Sequence, residues 1–168
     1  MIDRRRIVRL VLTTAVLAVA CSPAAPAQEN FKRFYPFLID LTGWTGSKPD
    51  GLALEMPGNS MTTAGREYRR GDARINAQVV TGPAAQAALS VTKTGVKLET
   101  GDVHMVTSTI NGMAVATAYT VHDKSGTVLV ALAPSAMFSI SFNGLGEDEA
   151  LVLAKQFDWK GIQAELPK

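Results

Sequence analysis

Cysteine and histidine are scarce in these 168 residues: one cysteine and two histidines. A lone cysteine cannot close an intramolecular disulfide, and so few imidazoles nearly exclude the zinc centres that combine two or three of them with cysteines or carboxylates. No glycine-rich phosphate loop is present, because Gly43, Gly46 and Gly51 are unevenly spaced and do not open a helix after a strand. Adjacent carboxylates are confined to Glu147, Asp148 and Glu149, which read as helix-start charges and not as an acid/base pair. Repeats of solenoid length are absent. What remains, 46% apolar and 19% charged residues, suits one globular domain that buries roughly two-thirds of its unfolded surface without metals or disulfides.

The N-terminus carries the strongest targeting signal. Arg4, Arg5, Arg6 and Arg9 precede Leu10–Ala20, an eleven-residue run without a charge. That is a basic segment followed by an apolar one too short to span a bilayer, the pattern of an export signal. Two ways of removing it are open. Ala25-Pro26-Ala27 before Gln28 suits ordinary signal peptidase, giving a signal over residues 1–27 and one α+β domain over 28–168. Leu17-Ala18-Val19-Ala20-Cys21 instead resembles a bacterial lipobox, giving a signal over 1–20 and a lipid on Cys21, although leucine stands at −4 and alanine at −3. Removing Arg4, Arg5, Arg6, Arg9 and Asp3 from 17 basic and 15 acidic residues leaves 13 against 14, so the +2 of the whole chain becomes −1. No nucleic-acid partner is expected from that balance, and contact with a membrane is expected only through a lipid anchor.

Ser22–Gln28 is small and Pro-rich and reads as a cleavage region or tether. Phe31, Phe34, Tyr35 and Leu38 then fall at helical spacing, with Pro36 predicting a kink or stop after one or two turns. Thr42–Gly46 reads as a loop and Ser47–Gly51 as a turn. From Leu52 the alternation is that of strands: Leu52–Met56, Met61–Arg70, and Ala73–Val80, where Ile75, Ala77 and Val79 alternate with Arg74, Asn76 and Gln78. Pro83–Leu89 fits a short Ala-rich helix with proline near its start.

Asn111-Gly112 supplies the two positive φ angles of a type I′ turn, so the flanking runs form a hairpin whose register can be written down. Ile110 faces Met113, Ser108 faces Val115, Val106 faces Thr117 and His104 faces Tyr119 on one side. Thr107 with Ala116 and Met105 with Ala118 fall on the other. Thr127–Ala133 and Met137–Phe142 continue a meander. Ala150, Leu153, Ala154 and Phe157 then return to helical spacing, with Gly161 as the expected stop. The expected fold is α+β: a curved antiparallel sheet of hairpins packed by helices from the two chain ends.

Candidate sites are few. Arg66, Arg69, Arg70 and Arg74 form the only basic cluster, a patch for phosphate, anionic lipid or a partner, although alternation puts Arg66 and Arg70 on the face opposite Arg69. A solvated edge with local ion pairs is the competing reading. Arg70-Gly71-Asp72 spells a cell-adhesion tripeptide but stands where a turn wants Gly-Asp. His104 with Ser108 and Asp102 is the one arrangement that suggests hydrolysis; it lacks a nucleophile elbow or oxyanion loop. His122 lies beside the Asp123 turn. The aromatic group Phe31, Phe34, Tyr35, Phe37 and Trp44 reads as packing against the sheet, with a ligand pocket as the alternative.

In order, the sequence shows an amphipathic start ending near proline, Gly43-Trp44, the strand with Arg66–Asp72, the Asn111-Gly112 hairpin, Phe138–Asn143, and a helix ending in Phe157-Asp158-Trp159. Over about residues 30–165 this resembles a loose group of small exported bacterial proteins of unknown function, with a signal peptide or lipobox and one α+β domain. The resemblance implies no activity, cofactor or catalytic residue. The expectation is an exported, periplasmic or membrane-anchored envelope domain. It is expected to bind a protein partner or an apolar ligand without catalysis and to use no metal or cofactor. A hydrolase centred on His104 and a structural or stress-related envelope protein are the alternatives.

Overall fold

The computed structural model describes residues 30–57, 60–93, 95 and 97–167. Cys21 and the expected export segment lie outside these residues. The described chain opens with a 3-10 helix, Lys32–Phe37, and runs through strands β1 (Thr45–Gly46), β2 (Asp50–Leu54), β3 (Met61–Arg70) and β4 (Ala73–Thr81). Helix α1 (Pro83–Ala88) and a second 3-10 helix, Leu89–Lys93, lead to β5 (Lys97–Glu99), β6 (Val103–Ile110), β7 (Met113–Thr120), β8 (Ser125–Ala133) and β9 (Ala136–Asn143). Helices α2 (Glu147–Ala154) and α3 (Trp159–Ala164) follow. The strands form one antiparallel sheet in the order β1-β3-β4-β9-β8-β7-β6-β5, with β2 beside β1 on the same edge of β3. The fold is α+β, with a curved, unclosed sheet.

The turns do what their residues allow. Asn111 and Gly112 take φ of 52° and 81°, and the β6–β7 register is the one the turn requires, from Ile110↔Met113 to His104↔Tyr119. Gly71, at φ 59°, turns β3 into β4. At Pro36 the first helix remains a tight 3-10 segment, which needs fewer amide donors than a long α-helix.

Several boundaries differ from the sequence expectation. Thr45–Gly46, read as loop, pairs with Tyr68–Arg69, and Asp50–Gly51, read as turn, pairs with Ala64–Gly65. β5 has no apolar alternation and was not expected; it forms by pairing with β6. The C-terminal helix is two helices, and Gly161 lies inside the second. Asp158 caps α3 by accepting the Gly161 N–H at 2.9 Å. A Cβ on Gly161 would fall 2.5 Å from Phe37 Cε1, so this glycine permits close packing of the two chain ends and does not end a helix.

Alternation gives the sheet two unlike faces. One carries Tyr68, Ile75, Ala77, Val79, Phe138, Ile140, Val128, Val130 and Val115, and is covered by Phe34 from the first helix and Leu38 just after it, Leu153 from α2, Phe157, and Trp159 and Ile162 from α3. This is the main core, and aromatic contacts knit it: Phe157 lies 4.9 Å from Phe138 and 6.2 Å, edge on, from Tyr68. On the other face α1 contacts β4 and β9, and the second 3-10 helix contacts β7 and β8. There Val80, Ala85, Leu89 and Ala116 are buried outside the main cluster. This cover reaches only one end of that face and leaves the rest open.

Candidate functional site

The open part of the sheet is polar because the phase of alternation that buries Ile75, Ala77, Phe138 and Ile140 turns their neighbours outward. Two rows cross it. Arg69, Arg74, Asn143 and Ser125 face one another in sequence across β3, β4, β9 and β8, and Glu67, Asn76, Ser141 and Thr127 form the next row. A third row brings Asp50, Gly65, Gln78 and Ser139 together. Gly65 has no side chain, so the sheet is hollow there. The resulting cavity, about 620 Å³, is bounded by Ser47 and Lys48 on the edge and by Thr63, Glu67, Asn76 and Gln78 on the floor. A second hollow of about 290 Å³ lies among Arg69, Arg74, Ser141 and Asn143, and it shares Glu67 and Asn76 with the first. The two make one trough. Asn76 Oδ1 is buried in it without a hydrogen-bond partner, an unusual state for a buried amide oxygen.

The basic cluster does not act as one patch. Arg66 is only 13% exposed at its side chain and is fully engaged: Nε donates to Ser47 O at 2.7 Å, Nη1 to Leu38 O at 2.8 Å and Nη2 to Asp40 Oδ1 at 2.5 Å. It fastens the N-terminal segment to β3. Arg70 pairs with Glu149 at the start of α2 and stacks its guanidinium 4.5 Å from the Trp44 ring centroid. Arg69 and Arg74 stand on the open face, directly opposite each other. Arg69 reaches only Glu67, at 3.5 Å with both side chains exposed, and Arg74 has no ion-pair partner among the described residues.

His104 is held by a residue the sequence reading passed over. Its Nδ1 lies 3.3 Å from Glu147 Oε2, and the Thr117 hydroxyl donates to Glu147 Oε1 at 3.1 Å. The carboxylate at the start of α2 thus ties the helix to β6 and β7. Ser108 is four residues farther along β6, about 13 Å at the usual strand rise, so strand geometry does not bring it to the imidazole, and the carboxylate beside His104 is Glu147 in place of Asp102. His122 bonds Asp123 Oδ1 at 3.1 Å on an exposed turn. Among the described residues no group of three or more His, Cys, Asp or Glu side chains is placed to hold a metal, and no helix is long and apolar enough to cross a membrane.

The aromatic group divides as well. Phe34 is wholly buried in the core. The Phe31 ring lies where a Cβ on Gly51 would meet it at 2.5 Å, and Trp44 lies under Arg70. These rings pack; they do not line either open hollow. The trough residues Glu67, Gly65, Asn76, Gln78 and Ser141 were not singled out from sequence. Their signal was present in the polar phase of β4 and β9, but nothing in the sequence announced that those two strands are neighbours.

No family model matches this chain, and no curated protein or solved structure is found similar to it.

Proposed function

We propose that this chain is an exported cell-envelope domain that binds a partner or ligand on the open sheet face and does not catalyse a reaction. The observation that carries the reading is the polar trough over Gly65, Asn76 and Ser141, on a face that α1 and the second 3-10 helix leave uncovered. The space between the terminal helices and the sheet is filled by Phe34, Phe138, Phe157 and Trp159, which favours a ligand on the open face over an apolar one held between helix and sheet. Export, through residues 1–27 or with a lipid on Cys21, rests on the Arg4–Ala20 pattern. A hydrolase centred on His104 is the second reading; the Glu147 carboxylate at Nδ1 would orient such a base, while Ser108, the nucleophile that reading named, stands about 13 Å along the strand.

The test is recovery of the protein from the envelope under native conditions, with mass analysis of its N-terminus and of anything bound. A first residue of Gln28, or an acylated Cys21 whose replacement by alanine releases the domain from membranes, is expected; Met1 retained in most molecules would overturn export. A bound species lost on Gln78→Trp, at unchanged melting temperature, is expected for the open-face reading. One that survives both this block and Arg74→Gln in the adjoining hollow sinks it. Ester turnover abolished by His104→Ala in the folded protein would put the hydrolase in its place.

A further inference from the structure

The open face carries an arrangement that the fold does not need. The β3–β4 register sets Arg69 directly opposite Arg74, and like charges in that position repel. Nothing acidic stands in their row: the neighbours are Thr45 beside Arg69 and Asn143, then Ser125, beyond Arg74. Glu67, one row away, pairs with Arg69 and not with Arg74. Net charge does not explain the pair, since the chain without residues 1–27 carries 13 basic against 14 acidic residues. Both arginines therefore border the 290 Å³ hollow with one exposed carboxylate, Glu67 on Arg69, and Arg74 has no ion-pair partner among the described residues.

Resting on the open-face reading, we propose that this hollow binds a small hydroxylated anion, the carboxylate of an acid sugar or the phosphate of a sugar phosphate, with the anionic group between Arg69 and Arg74. Guanidinium forks match the oxygens of either group and hold them through charge-assisted hydrogen bonds. The Asn143 side chain is the polar neighbour in the same row. One row farther, about 7 Å along the strands, Glu67, Asn76 and Ser141 offer a carboxylate, an amide and a hydroxyl, while Tyr68, Ile75 and Phe142 contribute apolar lining to the same hollow. A sugar ring has the reach to span the two rows, and it brings both hydroxyls for Glu67, Asn76 and Ser141 and C–H faces for the apolar part of the lining. The hollow suits a single ring, and the adjoining 620 Å³ cavity leaves room for a longer chain.

Calorimetric titration of the purified protein with glucuronate, glucose 6-phosphate, glucose and inorganic phosphate tests this. Glucuronate or glucose 6-phosphate is expected to bind at least tenfold more tightly than glucose, and which of the two wins tells carboxylate from phosphate. Arg74→Gln, at an exposed residue without an ion pair, should weaken that binding at least tenfold with the melting temperature unchanged. Ser141→Ala should weaken the sugar anions and leave inorganic phosphate alone. Equal binding of glucose and glucuronate, absence of binding by both sugar anions, indifference to Arg74→Gln, or equal loss for inorganic phosphate on Ser141→Ala would each overturn the proposal. If Gln78→Trp strips the envelope-bound species while Arg74→Gln leaves it in place, the anion site fails and the open-face reading stands; if neither variant matters, both fail.

Discussion

Tyr68 holds the N-terminal segment to the sheet from inside the core. Its ring is wholly buried, its hydroxyl donates to Ile39 O at 2.8 Å, and the Arg66 guanidinium sits 5.2 Å from its ring centroid. Burial pushes the phenol up to about 12, against the opposing pull of the Arg66 charge. The unfolded chain releases this proton near its ordinary value of 10 while the folded chain keeps it, so above that pH the unfolded state binds fewer protons and stability declines. The contribution is whole below about pH 10 and is lost as pH rises to about 12. Denaturant midpoints across that window should fall more steeply for the wild type than for Tyr68→Phe. At neutral pH the same variant leaves the Ile39 carbonyl without its donor and should cost about 1–2 kcal/mol. Parallel pH profiles for the two proteins would refute the assignment.

Among the elements, two glycines of the β6–β8 meander do different work. At Gly112 a Cβ would meet nothing within 4 Å, and the constraint is the φ of 81° alone. The turn therefore has space for a side chain, and only the backbone angle resists one. Gly112→Val should still destabilise the domain by about 1–2 kcal/mol through backbone strain. At Gly126 the φ is one that other residues adopt, but space is missing: a Cβ would lie 2.3 Å from Ala118 O and 2.7 Å from Phe142 Cζ. Tyr119 and Phe142, from the strands on either side, stack above this glycine at 6.1 Å and 20°. Gly126→Val must displace that stack and should cost about 3 kcal/mol, as overpacking does. Equilibrium unfolding should rank Gly126→Val below Gly112→Val; the reverse order would mean that the rings move aside freely.

For the whole molecule, Phe157 is where the distant parts of the chain meet. It follows α2, touches Tyr68 of β3 and Phe138 of β9, and sits in one cluster with Phe34 of the first helix. Phe157→Ala should lower stability by about 3–5 kcal/mol. Both helical ends should loosen together, read as simultaneous loss of amide exchange protection in Phe34–Leu38 and Trp159–Ile162. Loosening of α3 alone would show that the two ends are not one cooperative unit.

The sequence by itself determined what depends on neighbours along the chain. Asn111-Gly112 prescribes a turn, the turn prescribes the pairing of β6 with β7, and the alternation in Ala73–Val80 and Met137–Phe142 prescribes which side chains turn inward. The tertiary structure alone decided that β4 and β9 lie side by side, joining the β3–β4 hairpin to the meander and setting the Asn76 row beside the Ser141 row. It likewise separated Arg66 and Arg70, spent on Asp40 and Glu149, from Arg69 and Arg74 on the open face. It also gave His104 the carboxylate of Glu147, 43 residues away. Turn chemistry and strand alternation are local and leave a mark in consecutive residues. The contact of two strands more than 50 residues apart is selected by the burial of whole faces against each other, and no single stretch of sequence records it.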